Sequence, residues 1–198
     1  MSIRWKRATT LVSLAALAAL LLAACGSALS GESDPAGGVA PTATNNQPAT
    51  DFQIDLYHGG GLVDGAETSL SEVLGLDRPV VLNMWAGLCP PCRLEMPDFQ
   101  EVSQEFGDEI SIVGLDVGPF TNLGSSQDGQ ALIQELGITY LTGTTTDPAV
   151  VKEYELLGMP ATYFITPDGQ IRQRWTGLLT ADKLRQLVQE LIEASERS

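Results

Sequence analysis

The stretch WAGLCPPCRLEMP, residues 85–97, places Cys89 and Cys92 three positions apart, with Pro90 and Pro91 between them. It follows the apolar run VVLNMWA. From the second cysteine onward, apolar side chains recur at every third or fourth position: Cys92, Met96, Phe99, Val102 and Phe106. Proline suits the first turn of a helix, where its missing N–H costs nothing. The stretch therefore predicts a buried strand, a turn, and a helix that starts at the cysteine pair.

The predicted helix start gives the two cysteines different chemical roles. A helix N-terminus favours negative charge and lowers the pKa of a nearby thiol. Cys89 precedes the helix and is expected to be exposed, so we assign it as the nucleophile. Cys92 lies inside the first turn and is expected to be buried, so we assign it as the resolving thiol. The two sulfurs are close enough along the chain to form a disulfide.

Two other uses of the cysteine pair are less favoured. A structural disulfide across so short a loop would remove little entropy from the unfolded chain. A zinc site needs four ligands, and the chain offers only His58, in a glycine-rich turn, and Cys25 besides the pair. The sequence therefore predicts a redox-active pair with no metal and no cofactor.

The N-terminus has the pattern of a secretion signal. Three basic residues precede an apolar stretch of 14 residues, 11–24, which is shorter than the roughly 20 residues of a spanning helix. The stretch ends in LAAC, residues 22–25, which resembles the bacterial lipobox. That resemblance implies cleavage after residue 24, lipidation of Cys25, and anchoring by acyl chains at a membrane surface.

The rest of the chain is predicted to be a tether and one domain. Residues 25–50 would begin with the lipidated Cys25 that the lipobox resemblance implies. The remainder of this segment is rich in Gly, Pro, Ala, Ser and Thr, without apolar periodicity, which indicates a flexible linker. Residues 51–198 are long enough for one domain with a core. The net charge of −14 would become −17 without residues 1–24, which hold three basic residues and no acidic ones. So acidic a chain is not expected to bind nucleic acid.

Within residues 51–198, strand and helix patterns alternate. FQIDLY (52–57), the run that ends in Trp85, and residues 109–117 indicate strands, and a short strand is predicted at 139–141. Residues 161–177 read as a hairpin with its turn at 167–169. Helices are predicted near 69–76, after Cys89, and at 128–136, 148–154 and 180–194, with Ser69 and Thr180 as caps. This order predicts an α/β fold in which a mixed sheet is flanked by helices.

These elements together resemble one family. VVLNMWAGLCPPCRLEMP and the later GMPATYFITPDGQIRQRWTGLLT are similar to the matching segments of TlpA/ResA-like thiol-disulfide oxidoreductases of the thioredoxin superfamily. The resemblance implies a thioredoxin-like fold with an N-terminal strand or hairpin extension. It also implies an extracytoplasmic enzyme that exchanges disulfides with exported proteins, for example apocytochrome c. An upstream thiol donor, expected at the membrane, would supply the electrons.

The resemblance also implies positions for substrate-binding residues. Pro160 matches the family's cis-proline, and Met159 before it would offer backbone groups to a substrate. Trp85 would form core and pocket wall, and Pro90 and Pro91 would lie at the site. The family usually has Trp directly before the first cysteine. Here that residue is Leu88, which replaces an aromatic lid with an aliphatic one.

Glu95 has two interpretations at this point. It is either a solvated carboxylate in the first turns of the helix or, as in the ResA-like branch, an acid that tunes protonation of the cysteines. Asn83 stands where classical thioredoxins carry a buried Asp. Because an amide cannot accept the proton, Glu95 becomes the candidate base.

Two alternative functions remain open from the sequence. One is a thiol peroxidase of the peroxiredoxin kind, although such enzymes carry Thr three residues before the reactive cysteine, where this chain has Ala86. The other is a redox-silent binding module with a thioredoxin fold, which the presence of both cysteines disfavours.

Overall fold

The computed structural model describes residues 39–197, which form a sheet between two layers of helices. Its strands are β1 Val39–Pro48, β2 Gln53–His58, β3 Glu67–Ser69, β4 Val80–Trp85, β5 Ser111–Asp116, β6 Leu141–Thr144, β7 Ala161–Ile165 and β8 Gln170–Thr176. Its helices are α1 Leu70–Leu74, α2 Pro90–Phe106, α3 Gly118–Thr121, α4 Ser126–Leu136, α5 Ala149–Glu153 and α6 Ala181–Ser195.

The strand order across the sheet is β1-β8-β7-β4-β5-β6-β2-β3. The β4, β5 and β6 strands run parallel, while β7 pairs antiparallel with β4 and β8 antiparallel with β7. Every residue of β4 and β5 is buried, as expected for strands covered on both faces. The predicted mixed sheet and terminal hairpin are confirmed. Strand β2, the first strand predicted from the sequence, lies outside the parallel set, because it pairs antiparallel with β6.

Apolar side chains fill both faces of the sheet. One cluster joins the buried sides of α2, α4 and α6 to one face, and a second joins α1 and α5 to the other. The predicted caps Ser69 and Thr180 are confirmed, since each side chain accepts a backbone N–H of the helix that follows it. The β4–α2 junction, with the cysteine pair, lies at the edge of the first face.

The predicted linker ends earlier than residue 50. Residues 39–48 form β1, which pairs antiparallel with β8 at the edge of the sheet. An edge strand can be held by backbone hydrogen bonds alone, so its sequence needs no apolar repeat. That is why composition missed it. With the β2–β3 hairpin, it forms the N-terminal extension that the resemblance implies.

Two boundaries also differ from the sequence prediction. The β6 strand spans Leu141–Thr144 rather than 139–141, and α4 begins at Ser126 after a capping box of Ser125 and Asp128. Helix α3 was not predicted, because four residues hold too few positions to show a helical repeat.

Candidate active site

The cysteine pair lies where β4 ends and α2 begins. Cys89 is the N-cap residue of α2, and its sulfur accepts a hydrogen bond from the backbone N–H of Cys92, at 3.3 Å. Pro90 and Pro91 are the first two residues of the helix. Cys89 and Cys92 are joined by a disulfide, with their Cα atoms 5.3 Å apart. The pair can therefore cycle between disulfide and dithiol at a helix N-terminus.

Cys89 is less accessible than the sequence predicts. We expected it to be exposed, but it is only 3% exposed, and Cys92 is fully buried as expected. In the disulfide, the sulfur of Cys89 is bonded toward the buried sulfur of Cys92, which draws it inward. Its two chain neighbours are exposed: Leu88, at 60%, and Pro90. These two side chains therefore form part of the surface around Cys89.

Glu95 is buried one helical turn beyond Cys92, and the solvated interpretation is wrong. Its Oε1 accepts a hydrogen bond from Asn83 Nδ2 at 2.8 Å, and its Oε2 accepts one from the Leu179 backbone N–H at 2.9 Å. Burial raises the pKa of Glu95 to about 8, and the nearby Asp98 charge adds to the rise, while the two hydrogen bonds oppose it. Such a carboxyl exchanges a proton near neutral pH.

Asn83 connects Glu95 to the sheet. Besides its bond to Glu95, its Nδ2 lies 3.2 Å from Thr162 Oγ1, and Thr162 is its cross-strand neighbour on β7. Neither Thr162 nor the backbone of Leu179 was predicted from the sequence as part of the site. Thr162 lies two residues after Pro160, which was predicted to lie at the site. That proximity is only a weak indication that Thr162 lies near the site as well. A backbone N–H such as that of Leu179 leaves no signal in a sequence.

The Met159–Pro160 peptide bond is cis, as the resemblance implies. Met84 on β4 pairs with Ala161 on β7, so Pro160 lies at the same end of the sheet as Trp85 and the cysteine pair. Met159 is partly buried and packs against both apolar clusters. Met159 therefore lies two residues before the start of β7, at this end of the sheet.

Trp85 and Leu88 precede Cys89 in the chain. Trp85 is fully buried in the cluster that contains both cysteines, which confirms its predicted place in the core. The Leu88 N–H donates to the Leu123 carbonyl at 2.8 Å, which ties the residue before Cys89 to the segment after α3.

Asp116 is a second buried carboxyl at this end of the sheet, and it was not predicted from the sequence. It ends β5 directly beside Trp85 in the parallel ladder. Its Oδ1 accepts the Gly118 N–H at 2.9 Å, and its Oδ2 accepts the Tyr57 hydroxyl at 3.0 Å. Burial raises the pKa of Asp116 to about 6. In the sequence, the position of Asp116 is marked only by its being a polar residue at the end of a buried strand.

The remaining sequence features fall outside the site or outside the described residues. His58 lies at the end of β2, where its Nδ1 accepts the Gly60 N–H. Among residues 39–197, no three His, Cys, Asp or Glu side chains are grouped to hold a metal ion, and every helix is too short or too polar to span a bilayer. Cys25 and the predicted signal segment precede the part of the chain that the structure describes.

Known proteins share both the sequence and the fold. A profile of the AhpC/TSA family matches residues 46–174. Thiol-disulfide oxidoreductase ResA of Oceanobacillus iheyensis is 34% identical over 139 residues, 69% of this chain and 67% of that protein. ResA of Bacillus subtilis is 26% identical over 136 residues, 68% of this chain and 72% of that protein.

The fold matches that of solved structures. The thioredoxin domain of a thiol-disulfide oxidoreductase from Bacteroides vulgatus superposes with a TM-score of 0.62 at 19% identity, covering 76% of this chain and 99% of that one. The predicted thioredoxin-like fold is confirmed. By its family profile, its relatives and its cysteine pair, the chain belongs to the AhpC/TSA family and is a ResA-like thiol-disulfide oxidoreductase of the thioredoxin superfamily.

Proposed function

We propose that this oxidoreductase is a membrane-tethered, extracytoplasmic reductase of protein disulfides, with Cys89 as attacking thiol, Cys92 as resolving thiol and Glu95 as proton acceptor and donor. The observation that carries the proposal is the position of buried Glu95, one turn beyond Cys92 and held by Asn83. Exported proteins with oxidised cysteine pairs, such as apocytochrome c, are the substrates that the family resemblance favours.

The reaction begins from the dithiol. The Cys89 thiolate attacks one sulfur of a substrate disulfide, and the other substrate sulfur leaves as a thiolate and takes a proton. Cys92 then gives its proton to the Glu95 carboxylate and attacks the Cys89 sulfur. This step releases the second substrate thiolate, which takes a proton, and forms the Cys89–Cys92 disulfide. An upstream dithiol donor returns two electrons and is itself oxidised to a disulfide.

The N–H groups around Cys89 support the reducing direction. A strong oxidant needs a highly stabilised thiolate, because that stabilises its reduced form. Pro90 and Pro91 have no N–H to offer, and the Arg93 N–H donates to the Cys89 carbonyl instead. The Cys92 N–H is the backbone donor that reaches the sulfur. The Arg93 guanidinium forms an exposed ion pair with Glu135, so a negative charge lies beside its positive one.

The tether follows from the lipobox-like ending at Cys25. Replacing Cys25 with Ala is expected to release the protein from the membrane fraction or to leave an unprocessed precursor. Fractionation of cells that express the variant and the unchanged chain measures this. Normal processing with full membrane retention in the variant would refute lipidation while leaving the redox proposal intact.

A covalent trap tests the redox proposal. Cys92→Ala, expressed in the host, is expected to accumulate mixed disulfides on Cys89, identifiable by mass spectrometry after non-reducing purification. Cys89→Ala is the matched control and is expected to trap none of them. Equal trapping by the two variants would refute the assigned roles. Rapid peroxide consumption by the unchanged chain, without turnover of protein disulfides, would favour the thiol peroxidase instead.

A further inference from the structure

Asp116 takes no part in the proton transfers proposed above, yet both oxygens of its buried carboxyl are engaged. One accepts the Gly118 N–H at the start of α3, and the other accepts the Tyr57 hydroxyl from β2. The carbonyl of Asp116 also accepts the Thr144 hydroxyl, at 2.9 Å. Three separate elements therefore converge on one residue at the end of β5.

At two glycines, Gly118 and Gly129, the backbone that follows β5 lies in close contact with the Asp116 carboxyl. A β-carbon on Gly129, in α4, would overlap Asp116 Oδ2, and one on Gly118 would lie 2.9 Å from Oδ1. Side chains at these positions would collide with the carboxyl, so the backbones of α3 and α4 pack closely against it. The segment 117–129 therefore lies against the Asp116 carboxyl at two points, Gly118 and Gly129.

The same segment holds the loop that precedes Cys89. Leu88 donates its N–H to the Leu123 carbonyl. A β-carbon on Gly87 would lie 2.6 Å from the Gly129 nitrogen, and one on Gly124 would lie 3.2 Å from Leu88 Cγ. Contact is therefore continuous from the Asp116 carboxyl, through residues 117–129, to the backbone beside the cysteine.

We propose that Asp116 is a positioning residue for the redox pair: through residues 117–129 it fixes the loop of Gly87 and Leu88, and so holds the Cys89 sulfur where the Cys92 N–H reaches it. The inference rests on the proposed role of Cys89 as the attacking thiol. If Asp116 no longer braced the loop, the Cys89 thiolate would lose part of its hydrogen bond and its pKa would rise.

The groups that face the carboxyl define how it responds to pH. Tyr57 faces it from β2 and Asp128 from α4, while the flanking β4 and β6 contribute the uncharged Trp85 and Thr144. Burial and the Asp128 charge raise the pKa of Asp116, and the bonds from Gly118 and Tyr57 oppose the rise. The ionised form accepts with both oxygens, whereas protonation removes acceptor capacity. The fraction of Asp116 that can accept with both oxygens therefore increases as the pH rises through about 6.

The test measures alkylation of Cys89 against pH in the reduced full chain, with mass spectrometry to separate Cys89 from the other cysteines. Asp116→Ala is expected to raise the apparent pKa of Cys89 by about one unit, which slows alkylation near neutral pH by about tenfold. Asp116→Asn keeps an oxygen for Gly118 and is expected to restore the rate to within about threefold. Asp108→Asn, an exposed site after α2, is the matched control and is expected to change nothing.

A through-space charge effect predicts the opposite sign. Removing a nearby carboxylate would lower the pKa of Cys89, so faster alkylation in both Asp116 variants would overturn the proposal. Should Asp116→Ala fail to fold, Tyr57→Phe removes one donor and is expected to slow alkylation about threefold; a wild-type profile there would overturn the proposal. If Cys89 is not alkylated first in the unchanged chain, the proposed function fails before any variant is compared.

Discussion

Glu95 and Asp116 are two buried carboxyls on the same face of the sheet, and their surroundings differ. Glu95 lies on the covering helix α2, and its donors are the Asn83 amide and the Leu179 backbone. Asp116 lies on β5 itself, and its donors are the Gly118 backbone and the Tyr57 hydroxyl. Burial raises the pKa of Glu95 to about 8 and that of Asp116 to about 6. The two pKa values therefore lie on either side of neutral pH.

The largest expected difference between the two acids is in stability against pH. Both pKa values are raised on folding, so the folded state binds more protons and stability falls as pH rises from the unfolded pKa to the folded one. For Glu95 this window runs from about pH 4.5 to 8, and at about 1.36 kcal/mol per unit the loss is on the order of 5 kcal/mol. For Asp116 it runs from about 3.8 to 6.

Urea unfolding at a series of pH values measures this difference. Glu95→Gln is expected to remove the loss of stability between pH 6 and 8, whereas Asp116→Asn is expected to leave that range unchanged and to flatten the curve below pH 6. A wild-type slope between pH 6 and 8 in Glu95→Gln would show that Glu95 does not titrate there.

The second largest expected effect is on the rate of catalysis, where substitution of Glu95 should matter. Glu95→Gln keeps the shape of the side chain but cannot accept a proton, so resolution of the mixed disulfide by Cys92 is expected to slow by about 100-fold. Stopped-flow reduction of a peptide disulfide at pH 7.5 measures the step. Glu101→Gln, exposed on the same helix, is the control, and an equal loss there would remove the special role of Glu95.

Asn83→Ala should shift the pH optimum rather than abolish turnover. Losing the Asn83 donor destabilises the Glu95 carboxylate, because a hydrogen bond to a charged group contributes about 1.5–3 kcal/mol. The optimum is expected to move up by about one pH unit. Thr162→Val removes the partner of Asn83 without touching Glu95 and is expected to shift the optimum less. An optimum that moves down would contradict this account of the hydrogen bond.

Leu88→Trp should have the smallest effect. It restores the aromatic residue usual in the family at an exposed position beside Cys89. The KM for apolar peptide disulfides is expected to fall a few-fold, through added apolar contact, while the alkylation profile of Cys89 stays unchanged. A changed profile would mean that Leu88 acts on the thiol and not on the substrate.

The sequence predicts those parts of the site that depend on residues close together in the chain. Strand β4, helix α2 and the cysteine pair follow from an apolar run, a helical repeat and two prolines. The surroundings of Glu95 and Asp116 cannot be predicted in this way, because they depend on residues far away in the chain. Leu179 lies 84 positions from Glu95, and Tyr57 lies 59 positions from Asp116. The cis state of Pro160 came from the family resemblance and not from the residues alone. The β1 strand was missed because backbone bonds hold it.

The equilibrium redox potential of the Cys89–Cys92 pair tests the proposed reductase most directly. The purified full chain is equilibrated against thiol–disulfide buffers at pH 7, and the oxidised fraction is read by alkylation. Because one backbone N–H reaches the Cys89 sulfur and the Arg93 charge is paired, the potential is expected to lie nearer thioredoxin's roughly −270 mV than the roughly −120 mV of a strong oxidant. A value close to −120 mV would contradict the reductase and reverse the proposed direction of electron flow.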